Sequence, residues 1–219
     1  MAHPPEPGPL GVFGGTFDPV HIGHLRLAEE AREALGLARV RWIPAGQPWH
    51  RAPPRTSPQH RLGMVRAAIA GNDAFEADGS EVAAGRPSYT VDTLAALRTA
   101  EGDLRPLVLI LGTDAFSALH TWHRWRELFG LAHIGLASRA GQSVDALTLD
   151  PALTAELAAR ASDNKQDLRD APAGRIVRFD MTPLAVSATD IRARLAHGAS
   201  VRYLLPDAVL EYIRQQRLY

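Results

Sequence analysis

The stretch Val12-Phe13-Gly14-Gly15-Thr16-Phe17-Asp18-Pro19-Val20-His21-Ile22-Gly23-His24-Leu25 constrains the fold more than any other part of the chain. Leu10, Val12 and Phe13 supply the apolar end of a buried strand. Gly14 and Gly15 predict a tight turn in which no Cβ blocks the approach of a ligand. Asp18 before Pro19 predicts a helix start, with Asp18 as N-cap and proline at the first helical position. His21 and His24 are three apart, so on a helix they share a face, and Gly23 keeps the backbone between them open. Strand, glycine turn and helix together aim backbone N–H groups, a positive dipole end and two imidazoles at one spot. That is an anion site, and phosphate is the anion most often held in this way. A strand-to-helix turn of this kind also occurs without a ligand, and paired histidines also serve as plain polar surface. Spacing alone leaves both readings open. A zinc site is disfavoured, because His-x-x-His has no third ligand nearby.

Composition narrows the function classes. With 219 residues the chain is long enough for one α/β domain with a sizeable core. It has no cysteine, which excludes disulfides, thiolate metal sites and cysteine nucleophiles. Lys plus Arg equals Asp plus Glu at 24 each, so the basic excess of a nucleic-acid footprint is missing. An anionic substrate must then be held by local groups. No run approaches the ~20 apolar residues of a membrane span. Residues 1–9 are proline-rich, lack a signal-peptide core and read as a disordered tail, which points to the cytoplasm.

Along the chain, strand and helix patterns alternate. An amphipathic helix runs from Leu25 to Leu35 and ends at Gly36, and Val40 to Pro44 reads as a strand. Ala45 to Pro58 is a proline-rich loop carrying Trp49, His50 and Arg51; taken alone it is a solvated basic loop. A helix follows over 59–70 and a short strand over 74–77. Thr90 is an N-cap candidate for a helix whose buried stripe is Val91, Leu94, Ala95 and Leu97. Pro106 to Gly112 is continuously apolar, the pattern of a strand buried on both faces of a parallel sheet. Asp114, just beyond it, is a candidate helix cap. Trp122 and Trp125 are three apart, and Trp125 is assigned to packing. Residues 134–137 form another strand, with Arg139 just past its end. The region 142–174 reads as a surface insertion holding one helix near 151–161. A strand at 176–180 precedes Ser187, which with Asp190 resembles a capping box, and Thr189 and Arg192 share one face of the helix that follows. A capped helix with a surface arginine accounts for that pattern as well. A last helix spans 208–216. The alternation predicts an α/β single domain over 10–219 built on a doubly wound parallel sheet.

The Gly-Gly-Thr-Phe-Asp-Pro-Val-His-x-Gly-His-Leu run resembles the signature of the nucleotidyltransferase superfamily, which shares His-x-Gly-His with class I aminoacyl-tRNA synthetases. Ser88-Tyr89-Thr90, Trp122 and the Ser187-x-Thr189-x-Ile191-Arg192 run narrow it. From about Leu10 to Tyr219 the chain is similar to the bacterial nicotinate-nucleotide adenylyltransferases, and a Rossmann-like fold is implied. The implied reaction joins the adenylyl group of ATP to nicotinate mononucleotide and releases pyrophosphate.

The resemblance also implies roles. His21, His24 and Arg192 would be catalytic. Gly14, Gly15, Thr16, Phe17, Gly112, Asp114, Arg139, Ser187 and Thr189 would bind ATP. His50, Arg51, Ser88, Tyr89, Thr90, Trp122 and His123 would bind the mononucleotide, with the N–H groups of Thr90 and His123 on its carboxylate. Trp49 stands where the family usually has a proline. Mg2+ would arrive with ATP, and no protein-held metal is expected. ATP and nicotinate mononucleotide are the implied partners; neither nucleic acid nor a membrane is, and a homo-oligomer stays open. Another nucleotidyltransferase, such as a pantetheine-phosphate adenylyltransferase, shares the first motif but leaves Ser88–Thr93 and Trp122 unexplained. A tRNA synthetase fragment and a non-catalytic nucleotide-binding protein are the remaining alternatives.

Overall fold

The computed structural model describes residues 8–48, 53–139 and 149–219. Most of the expected tail at 1–9 lies outside these residues, as do His50 and Arg51. The chain opens with β1 (Leu10–Gly15), passes over α1 (Ile22–Leu35) to β2 (Arg39–Pro44), and continues through β3 (Gln47–Pro48) and α2 (Pro58–Ile69) to β4 (Phe75–Ala77). α3 (Ser80–Ala84) and β5 (Pro87–Ser88) lead into α4 (Thr90–Glu101) and β6 (Leu107–Gly112). α5 (Thr113–Ser117), two short 3-10 turns and α6 (Leu128–Leu131) precede β7 (His133–Arg139). α7 (Pro151–Arg160), β8 (Ala161–Ser162), α8 (Asp167–Asp170), β9 (Ile176–Met181), α9 (Ala188–Ala196) and α10 (Asp207–Gln216) complete the order.

Among the described residues, seven strands form one sheet in the order β4-β2-β1-β6-β7-β9-β8, and all its pairings are parallel. Parallel neighbours cannot be joined by tight hairpins, so helices make the crossovers and cover both faces. Strand β6 shows the consequence in its side chains. Val108 and Ile110 enter one core with Phe13, Trp42, Val65 and Ile213. Leu107, Leu109 and Leu111 enter the other with Val12, Leu94, Phe116 and Leu136. The two-residue period of a strand sends alternate side chains to opposite faces, and here both faces are dry.

The sheet reverses direction between β1 and β6. Strand β1 stays paired with β2 as far as Gly15↔Pro44. Its pairing with β6 stops at Val12↔Leu109. Past that point the carboxyl ends of β1 and β6 part, and the switch point of the sheet becomes a cleft. Open α/β sheets bind ligands at this place.

The region 142–174 departs from expectation. Among its described residues, β8 pairs with β9 as an edge strand of the main sheet, and Leu153, Leu157 and Leu168 are buried in the two cores. It is therefore part of the fold rather than a surface insertion. The helix expected near 151–161 is α7, with buried Leu153 and Leu157 four residues apart; β8 and α8 are too short to show a hydrophobic period, so only the long-range packing reveals them.

Burial predicts where a truncation hurts. Leu136 is fully buried at 0% exposure, whereas Leu104 is 85% exposed. Leu136→Ala should cost about 2–5 kcal/mol in urea unfolding, and Leu104→Ala less than about 0.5 kcal/mol.

Candidate active site

The cleft between β1 and β6 is a cavity of about 650 Å³. Gly14, Gly15, Thr16, Phe17 and His24 form one part of its wall, and Ala188, Thr189 and Arg192 at the start of α9 form another. Gly112 lies on the floor at the end of β6, and Ser88, Thr90 and Trp122 line the remaining side. Two residues from the first crossover and α9, far apart in sequence, thus meet across one space.

The turn after β1 works differently from the expectation. Neither Gly14 nor Gly15 has a positive φ; the left-handed residue is Phe17, at φ 51°. A bulky side chain there is strained, and the strain persists only where packing enforces it. Phe17 is buried against Phe13, Trp42 and His24, with ring centroids 5.5, 5.4 and 5.1 Å away. Gly15 is required because a Cβ there would sit 2.7 Å from the Phe17 ring.

Asp18 does not cap α1. The N-cap is His21, whose φ of −146° and ψ of 173° are extended, and the helix starts at Ile22. Asp18 is only 4% exposed. Its carboxylate accepts from the Arg55 N–H at 2.7 Å, the Thr56 hydroxyl at 2.7 Å and the Tyr219 hydroxyl at 2.6 Å. Its backbone carbonyl accepts from Arg192 Nη1 at 2.7 Å, and Arg192 Nη2 donates to Thr189 Oγ1 at 3.1 Å. Asp18 therefore fixes Arg192 at the cavity edge and ties down Arg55, another wall residue. Burial, with the hydrogen bond to Asp18 second, pushes the Tyr219 phenol well above its ordinary value, so it stays a donor.

The backbone at the start of α1 is also less open than expected. The His21 N–H donates to His24 Nδ1 at 3.2 Å, the Ile22 N–H to the Leu204 carbonyl at 3.0 Å, and the His24 N–H to the His21 carbonyl at 3.0 Å. These donors are spent inside the protein, so His24 and the first turn of α9 form the polar lining instead, while His21, expected to share it, lies behind His24 and outside the cavity wall. Because His24 Nδ1 accepts, the neutral ring carries its proton on Nε2. The two imidazoles stack with centroids 3.7 Å apart. Burial lowers the His21 pKa to about 4, so this ring is neutral at pH 7. His21 therefore brings no charge to the site; what it contacts there is the ring of His24.

Several expected site residues lie elsewhere. Ser187 caps α9, its hydroxyl accepting from the Asp190 N–H at 3.0 Å, and it is outside the cavity wall. Asp114 is exposed in the first turn of α5 and caps nothing; the N-cap is Gly112. Tyr89, rather than Thr90, is the N-cap of α4. Tyr89 and His123 pack on each other, 4.5 Å between centroids, outside the wall. Arg139 ends β7, and its side chain lies outside the described residues. Trp125 is buried in the core, as the packing assignment expects. Among the described residues no group of three or more His, Cys, Asp or Glu is arranged to hold a metal.

Sequence reasoning missed Arg61, Glu81 and the partners of Asp18. Glu81 lines the cavity, and Thr93 Oγ1 donates to it at 2.5 Å. Arg61 had a readable signal: it shares an α2 face with Met64 and Val65, a charge on an otherwise apolar stripe.

Known proteins resemble this chain in sequence and in fold. A cytidylyltransferase-like family model matches residues 12–194. The probable nicotinate-nucleotide adenylyltransferase of Dechloromonas aromatica is 56% identical over 211 residues, covering 96% of this chain and 97% of that protein. The corresponding protein of Aeromonas hydrophila is 49% identical over 212 residues, covering 96% and 97%. Among solved structures, the Plasmodium falciparum nicotinic acid mononucleotide adenylyltransferase complexed with NaAD superposes with a TM-score of 0.71 at 13% identity, covering 97% of each chain. The last likeness shows the Rossmann-like fold alone. The first two extend over nearly the whole sequence, and by them the chain belongs to the nicotinate-nucleotide adenylyltransferases, within the cytidylyltransferase-like family.

Proposed function

We infer that this chain transfers the adenylyl group of ATP to nicotinate mononucleotide, giving nicotinate adenine dinucleotide and pyrophosphate, a step in NAD biosynthesis. The observation that carries the assignment of residues to this reaction is the shared cavity. His24, Thr189 and Arg192 line one part of it, and Ser88, Thr90 and Trp122 another. A polar, cationic part suits a triphosphate, and a part with one half-buried tryptophan and a helix start suits an aromatic acid.

The 5′-phosphate oxygen of the mononucleotide attacks the α-phosphorus of ATP. A new P–O bond forms, the bond to the bridging α–β oxygen breaks, and pyrophosphate leaves with that electron pair. A phosphate monoester has a second pKa near ~6, so the nucleophile is already largely ionised at pH 7 and no general base is required. The chain then contributes position and electrostatic stabilisation. His24 Nε2–H donates to a phosphoryl oxygen as charge builds there. Neutral His21 orients that ring by stacking on it and by its N–H bond to Nδ1. Arg192, held by Asp18 and Thr189, faces the departing β- and γ-phosphates together with the first turn of α9.

Thr90 opens α4 in the cavity wall. N–H groups at a helix start favour a carboxylate, whereas a carboxamide also presents donors of its own. The same contact therefore favours nicotinate over nicotinamide. Magnesium enters as part of the MgATP substrate. The oxygens of Asp18 are committed to three donors, and the described residues offer no ligand cluster for a resident ion. Equal numbers of acidic and basic residues support small-molecule partners rather than nucleic acid. Among the described residues no helix is long and apolar enough to cross a membrane, in keeping with a cytoplasmic enzyme.

Pyrophosphate release, measured with ATP and each pyridine mononucleotide in turn, tests the reaction; release with nicotinate mononucleotide is the expected result. His24→Ala should keep its fold by circular dichroism and lose roughly 10²–10³ in kcat, the size of losing one electrostatic stabiliser. Near-normal turnover would remove His24 from the mechanism. Trp122→Ala should raise KM for the mononucleotide about 5- to 100-fold, the range of one base–aromatic stack, with KM for ATP within about twofold. Equal effects on both constants would place Trp122 outside the mononucleotide site.

A further inference from the structure

Arg61 is the least economical residue in the fold. Its guanidinium is completely buried at 0% exposure, and its Nε has no hydrogen-bond partner. Nη1 donates to the Thr16 carbonyl at 2.9 Å and Nη2 to the Gly46 carbonyl at 2.9 Å. Neither partner is a carboxylate. Asp18 and Glu81 act on Arg61 only through space, and burial still pulls its pKa below the usual arginine value. A buried cation held only by neutral groups stabilises a fold poorly, and an apolar side chain of similar volume commonly does better.

Its two bonds explain its presence. Thr16 belongs to the turn after β1, beside His24 in the cavity wall. Gly46 follows β2, and its N–H donates at 3.0 Å to Oγ of Ser88, which also lines the cavity. Gly46 is hemmed in on its far side, since a Cβ there would lie 2.2 Å from the Glu81 carbonyl oxygen. Glu81 in turn accepts from Thr93 in the first turn of α4. One continuous polar chain therefore runs behind the cavity from Thr16 through Arg61 and Gly46 to Ser88, with Glu81 and Thr93 packed against its end. Thr16, Glu81, Ser88 and Thr93 all face the cavity, whereas Arg61 and Gly46 lie behind its wall.

We propose that Arg61 is a positioning residue that sets the distance between the ATP half and the mononucleotide half of the site. The proposal rests on the assignment of the two halves given above. The backbone already joins the two sides once, where the Ala45 N–H donates to the Gly15 carbonyl at 2.9 Å at the end of the β1–β2 ladder; beyond it the first turn leads to α9 and Gly46 leads to Ser88 and α4, and Arg61 is the side-chain tie across that divergence. Loss of the strut leaves each substrate's own contacts in place but lets the attacking oxygen drift from the α-phosphorus. In-line transfer tolerates little drift, since misplacement by about 1 Å costs on the order of 10²-fold in rate.

The test is Arg61→Lys, which keeps the charge but cannot span both carbonyls with a planar fork. Dissociation constants for MgATP and for nicotinate mononucleotide, each measured alone by calorimetry, should stay within about threefold of wild type. The kcat should fall about 10- to 100-fold. Leu168→Ala, destabilised in the core at a residue that neither lines the cavity nor shares the core behind Leu109 and Leu111, should keep its kcat at a temperature where it is folded, which separates geometry from stability. Should Arg61→Lys fail to fold, Gly46→Ala strains the same chain from its other side and should give the same split. A kcat within twofold of wild type overturns the proposal. So does a lower affinity for one substrate with kcat unchanged, which would make Arg61 a support of one half only. Failure of the half-site assignment has a different mark: it appears in the Trp122→Ala constants, not in the Arg61→Lys rate.

Discussion

Burying a carboxylate is costly unless hydrogen bonds replace the water it loses, and Asp18 meets that demand with three donors. They come from residues 55, 56 and 219, while the carbonyl of the same residue anchors Arg192. The positions of Arg192, of Arg55 and Thr56, and of the first turn are consequences of one another. Charge-assisted bonds of this kind are worth about 1.5–3 kcal/mol each, so disturbing any one contributor releases a constraint on the others.

The sheet supplies the space into which this knot projects. Because β1 leaves β6 after Val12 while β1 follows β2 to Gly15 and β6 follows β7 to Gly112, the last residues of the two central strands lose each other as neighbours on their facing sides. Their backbone groups and the glycines at their ends then border a cleft instead of a ladder. The chemistry around that cleft is mostly neutral. His21 is uncharged because it is buried, and the first N–H groups of α1 are used internally. Positive charge enters through Arg55 and Arg192 in its wall and Arg61 behind it. An anion site built this way relies on oriented donors more than on a surplus of cations, which agrees with the even charge count of the whole chain.

The parts of this design that depend on local pattern were legible in the sequence. Leu107 to Gly112 reads as a strand buried on both faces because six consecutive positions offer no polar side to turn outward. The Ser187 cap and the Thr189–Arg192 pairing follow from helical spacing, and both are present. What failed to show depends on distant partners. Asp18 before Pro19 satisfies the rules for a helix start, yet its donors lie 37, 38 and 201 positions away. The true cap, His21, is not a residue type that capping statistics favour. Gly14 and Gly15 predicted a tight turn, but both belong to β1, and the left-handed residue beyond it is Phe17, held by aromatic packing. Ser187, Asp114, Tyr89 and His123 sit close in sequence to wall residues yet outside the wall, because neighbours on a helix or turn face different ways. Strand β8 has two residues, too few for any period, and only its pairing with β9 defines it.

The Asp18–Tyr219 hydrogen bond has a consequence for how the molecule is made. Synthesis proceeds from the amino end, at about 5–20 residues per second, and early segments fold while later ones are still being added. The strand, turn and helix at the start of this chain have all their local partners within seconds of leaving the ribosome. The carboxylate at their junction does not; its third donor is on residue 219. Until that residue emerges, a buried anion lacks part of its solvation, and the nascent polypeptide holds an unfinished nucleotide pocket.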